Sequence, residues 1–99
     1  MAETHRSLGD NAWVEFKNSG YPFKLQRQLK EAREDVAVLS LIILYVEKCH
    51  LPMASGGTLE TMSNASDLDE IDEAAIVQLI KEFYAFRQER MYSPLQATN

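Results

Sequence analysis

The sequence predicts an α+β fold, mainly α: a short N-terminal β-hairpin or extended arm, followed by two long antiparallel helices joined by a long loop. Three observations carry this reading. Residues 12–17 alternate apolar and polar, the period of a strand. Leu25, Leu29, Ala32, Val36, Leu39, Ile43 and Val46 recur at spacings of three and four, the period of a helix face. Ile71, Ala75, Ile76, Leu79, Ile80, Phe83 and Phe86 form a second face of that kind after a stretch rich in Gly, Ser and Thr.

The 99 residues amount to one domain. Residues 1–11 are polar, end in Gly9-Asp10-Asn11 and lack a period, so they read as a flexible tail before a single domain over 12–92. Ala12, Val14 and Phe16 point one way along the first strand, and Trp13, Glu15 and Lys17 the other. Asn18-Ser19-Gly20 is turn chemistry. Tyr21-Pro22-Phe23 then either closes a hairpin over 12–25 or opens a helix with Pro22 at its start. From Leu25 the helical period takes over. Arg27/Glu31 and Lys30/Glu34 support it as i,i+4 pairs, while Glu34-Asp35 marks a place where one long helix can become two. His50-Leu51-Pro52 ends the helix, because the residue before proline resists the helical region.

Pro52–Asn64 is expected to be a long loop, marked by Gly56-Gly57. Asp67 with Glu70 three residues on resembles a capping box, with Ser66 as the alternative cap, and opens the last helix at about residue 68. Asp69, Glu70, Asp72 and Glu73 suit its positive end, and Arg87 and Arg90 its negative end. Ser93-Pro94 stops it, leaving 93–99 as a second tail.

Composition excludes several function classes. A formal net charge of −5 argues against nucleic acid and against an anionic membrane as partner, since both demand clustered Lys and Arg. The one cysteine, Cys49, cannot form an internal disulfide, which points to a reducing cytoplasm. The first residues lack the apolar core of a signal peptide. The 11-residue apolar run Val36–Val46 spans about 16 Å as a helix, about half a bilayer core.

No catalytic, cofactor or metal residues emerge. Cys49-His50 lacks the third and fourth ligands that zinc requires. The acidic run Asp67–Glu73 is broken by Leu68 and Ile71 and has no central Gly, so it is a capped helix start rather than a calcium loop. Lys24, Arg27, Lys30 and Arg33 drift around a helix beside Glu31, Glu34 and Asp35, as a solvated face does. Phe83, Tyr84 and Phe86 with Tyr45 and Trp13 are either core or an aromatic platform. Glycine-rich phosphate loops and nucleophile elbows are missing, so an enzyme is not expected.

The apolar run supplies the functional expectation instead. A helix that is apolar all round must be covered all round. The hairpin and the last helix cover two sides, which leaves Val38, Leu41, Ile42 and Tyr45, with Tyr84 and Phe86, as candidate partner-binding residues. A homo-oligomer or a docked partner helix is expected there.

Several stretches together resemble a known family. They are Trp13-Val14-Glu15-Phe16 with Gly20-Tyr21-Pro22-Phe23-Lys24-Leu25, then Leu44-Tyr45-Val46-Glu47, Leu51-Pro52, and Leu68-Asp69-Glu70-Ile71-Asp72 leading to Phe83-Tyr84-Ala85-Phe86. In this order they are similar to small tail assembly chaperones of long-tailed bacteriophages. Members of that family often carry a Trp where this chain has Cys49-His50. The resemblance implies a non-enzymatic chaperone in the host cytoplasm. It would keep an apolar helical tape measure protein soluble and help tail-tube protein polymerise around it. The alternatives are a small inhibitor or adaptor, such as an anti-defence protein, and a structural head-to-tail component.

Overall fold

The computed structural model describes residues 3–98 of the chain, with side chains for residues 3–91. Four antiparallel strands form one sheet in the order β1-β2-β3-β4: β1 His5–Ser7, β2 Trp13–Phe16, β3 Val46–Pro52 and β4 Thr58–Leu59. Three α-helices accompany it: α1 Phe23–Glu31, α2 Asp35–Ile42 and α3 Glu73–Thr98. The expected pair of long helices joined by a long loop is therefore corrected to a sheet with three helices, two of them short.

β2 is where the alternation placed it, with Val14 and Phe16 buried. Its partners differ from those expected. β1, from within the expected tail, pairs with it through Arg6↔Val14. The connecting turn places Gly9 at φ +99° and Asp10 at φ 37°, and the Leu8 and Ala12 amides close it onto the carbonyls of Ala12 and Gly9. Gly9-Asp10 is thus hairpin chemistry, because positive φ suits Gly and, among side-chain-bearing residues, Asp and Asn.

Residues 21–25 do not close a hairpin. Pro22 lies just before α1 in an extended conformation, with φ preset near the helical value, and Leu25 and Leu29 bury one turn apart. The helix then breaks: Ala32 and Glu34 are extended, and the Glu34 carbonyl accepts from the amides of Ala37 and Val38 to start α2. The second option at Glu34-Asp35 is the one adopted.

The larger correction lies at Val46. After α2, a 3₁₀ turn over Ile43–Tyr45 leads into β3, so the apolar run changes element before it ends. In β3, Cys49 and Leu51 point into the core while Lys48 and His50 point out. Val14 faces Cys49 and Trp13 faces His50 across the ladder, with an irregularity next to Phe16↔Val46. The expected loop after Pro52 is in part a hairpin: Gly56 and Gly57 take positive φ, and Leu59 returns opposite Leu51.

The last helix also starts later than expected. Asn64, rather than Asp67 or Ser66, caps a 3₁₀ turn over Ala65–Leu68, and Asp67 completes that capping box as its third residue. Leu68 and Ile71 are buried before α3 begins. It also ends later: α3 runs through Ser93-Pro94 to Thr98, which corrects the expected stop and tail over 93–99, because a proline within its last turns removes only one amide donor.

One face of the sheet packs on α3. The Phe16 ring lies 5.3 Å from Phe83 and 5.0 Å from Phe86, and Leu79 and Ala75 extend the line. Arg6 ties β1 to the same helix. Its Nε donates to Glu82 at 2.9 Å, and Nη1 and Nη2 donate to the two Glu89 oxygens at 3.0 and 2.8 Å. The hydrogen bond from Arg6 holds the Glu89 carboxyl below the usual carboxylate range. Glu89 is largely solvated, so Arg6→Gln is expected to cost only about 1 kcal/mol in thermal or urea unfolding. The lowered carboxylate contributes stability above the ordinary Glu range and loses it as pH falls through the native value. The gap between wild type and variant should therefore shrink in acid.

Candidate functional site

The six residues expected to form a binding face do not form one. Val38, Ile42 and Phe86 are buried in the chain's own core. Leu41 and Tyr45 are half-buried against it, and Tyr45 stacks on Tyr21 at 4.6 Å. Only Tyr84 is exposed. The cause is the strand at Val46: the sheet and α1 supply cover that two long helices would not. On α2 and its 3₁₀ turn the outward apolar residues are Val36 and Leu44, 56% and 59% exposed.

The aromatic platform divides in the same way. Phe83, Phe86 and Tyr45 pack inward, whereas Trp13 lies on the outward sheet face between His5 and His50, with ring centroids 5.0 and 6.2 Å away. A recess of about 580 Å³ beside this row is lined by Asp10, His50 and Asp72 among others. Among the described residues there is no group of three or more His, Cys, Asp or Glu able to hold a metal.

Cys49 is buried, and its thiol hydrogen-bonds the Leu59 carbonyl at 3.6 Å. Burial, with a smaller contribution from Glu60, pushes the thiol up to about 11. Alkylation at neutral pH should run roughly a hundredfold slower in the native protein than in urea, because each unit by which a thiol pKa rises cuts the thiolate fraction about tenfold. Mass spectrometry after timed iodoacetamide treatment measures this.

A second apolar surface lies between α1 and α3, on the part of α3 around residues 84–91. Two adjoining recesses of about 240 and 270 Å³ share Gln26, Arg87 and Met91. Tyr21, Pro22, Phe23, Leu25 and Arg90 complete the first; Leu29, Lys30 and Tyr84 complete the second. The floor is buried Leu25 and Leu29. Phe23, Tyr84 and Met91 stand out from it, Phe23 with 71% of its surface in solvent.

The walls follow from helix geometry. Phe23, Gln26 and Lys30 sit at i, i+3 and i+7 of α1, and Tyr84, Arg87 and Met91 at i, i+3 and i+7 of α3, which puts each trio on one stripe. One end is braced. The Arg90 guanidinium lies 4.0 Å over the Tyr21 ring and donates to the Ser19 carbonyl at 2.8 Å. The Tyr21 hydroxyl donates to the Lys17 carbonyl at 2.8 Å, and burial pushes it up to about 12. Sequence reasoning misses this groove because a hairpin over 12–25 places Phe23 in a strand. The paired i, i+3, i+7 stripes are a signal that could have found it.

No family model matches the chain, and comparison with curated proteins and with solved structures finds no match either. No helix among the described residues is long and apolar enough to cross a membrane.

Proposed function

We propose that this protein is a non-enzymatic tail assembly chaperone of the kind its residues resemble. It holds apolar helical segments of a tape measure protein in the host cytoplasm while tail-tube subunits polymerise around them. The groove between α1 and α3 supports this reading. An exposed Phe, Tyr and Met over a floor of leucines, between one stripe of each helix, is a surface suited to the apolar face of a helix. Met and the aromatic rings also adapt to varied partners, which suits a holder of many segments.

Co-expression with successive segments of a tape measure protein tests the reading. Several segments should become soluble with the chain and not without it, each bound weakly. Phe23→Glu should abolish the effect and leave the fold intact, since Phe23 is exposed and an acidic residue suits the first turn of a helix. Tight, stoichiometric capture of one folded target, with no segment solubilised, would instead identify an inhibitor or adaptor.

A further inference from the structure

We infer that the groove between α1 and α3 selects an amphipathic helix whose apolar stripe is bordered by Asp and Glu. The inference rests on the helix-binding reading above and adds the chemistry of the partner. It comes from a mismatch between the groove and the rest of the chain. The chain carries a net charge of −5. Yet Lys30, Arg87 and Arg90 line the two recesses, and none of the described lining residues is acidic. Lys24 and Arg27 lie on the same helix within three residues of Gln26. The two recesses are therefore lined by positive charge on an acidic protein, and Glu31, the one acidic residue of α1, lines neither.

The three cations are not equivalent. Arg90 is held by Tyr21 and Ser19 and belongs to the wall. Lys30 and Arg87 stand on opposite helices, one on each side of the second recess. A helix seated there has its apolar residues over Leu29 and between Phe23, Tyr84 and Met91, and its borders against Lys30 on one side and Arg87 on the other. The stripe from Phe23 to Lys30 is about 10 Å long, so it engages two turns of a partner, three or four apolar residues at i, i+3, i+4 and i+7. Carboxylates on both borders complete the fit, whereas lysines there meet like charge, a device that selects among equally apolar helices.

Fluorescence anisotropy with two labelled peptides of about 16 residues, long enough to become helical, tests this. Both carry the same apolar stripe; one has Glu and the other Lys at the bordering positions. At low salt the Glu-bordered peptide should bind roughly five- to tenfold tighter, and the difference should shrink as salt screens the rim. In the double variant Lys30→Glu/Arg87→Glu the preference should reverse. In the milder Lys30→Gln/Arg87→Gln it should vanish, with an unchanged circular dichroism spectrum as the folding control. Equal binding of both peptides to the wild type overturns the charge selection and leaves the helix-binding reading standing. A preference that survives both double variants places the selecting charges elsewhere and also overturns it. If neither peptide binds, the groove is not a helix site and both readings fall.

Discussion

Phe86→Ala is expected to lower the unfolding free energy by about 3–5 kcal/mol, the usual cost of emptying a fully buried aromatic site. Phe86 is 1% exposed. Its ring lies 5.0 Å from Phe16 and 5.8 Å from Tyr21, so it joins the sheet, the start of the α1 segment and α3 at one point. Removing it opens a cavity on three sides at once, and small domains hold only about 5–15 kcal/mol in all. A drop of roughly 15 °C or more in melting temperature should follow for a domain this size. Tyr84→Ala, two residues away on the outward stripe, should change stability by no more than about 0.5 kcal/mol. The pair separates core from surface on a single helix turn: loss of stability goes with Phe86, loss of partner binding with Tyr84.

Ile42→Ala should cost about 2–5 kcal/mol, and Leu44→Ala about 0.5 kcal/mol or less. Ile42 is 0% exposed at the end of α2, while Leu44 is mostly in solvent two residues later. The contrast bears on the whole run Val36–Val46. If that run continued as one helix, residues two apart would again face nearly opposite sides, but Val46 would follow the helical face rather than enter a strand. Urea unfolding of Ile42→Ala and Leu44→Ala, with Val46→Ala as a third variant at the start of β3, measures how the run divides. Val46 is half-buried and should fall between the other two.

Much of the core was legible from periodicity. The faces Leu25/Leu29, Val38/Leu39/Ile42 and Ala75/Leu79/Phe83/Phe86 are buried, and most of these positions belong to the helical patterns in the sequence. The element boundaries were not legible, for physical reasons. Val46-Glu47-Lys48-Cys49 continues a spacing of three from Ile43 and Val46, so it satisfies a helix pattern as well as a strand pattern. The sheet decides between them: β2 needs a partner on its second edge, and Val14↔Cys49 supplies it. β1 is only three residues long and alternates Arg6 inward with His5 and Ser7 outward. An inward arginine hides the strand from any hydrophobicity pattern, although Gly9-Asp10 signalled the turn. The groove was invisible for a related reason. Its walls come from two helices far apart in sequence, and Phe23 reads as an apolar strand residue until Pro22 is recognised as the residue preceding a helix.

The fold correction changes what the apolar run implies. With the sheet as an additional cover, Val38 and Ile42 need no partner, and the proposed partner surface is the groove between α1 and α3 rather than α2. Amide chemical-shift mapping during titration with the Glu-bordered helical peptide tests that claim most directly. The largest shifts should fall at residues 23–30 and 84–91, with the outward sheet face around Trp13 and His50 unmoved. Shifts centred on Val36–Leu44 or on the sheet face, with 23–30 and 84–91 silent, would contradict it.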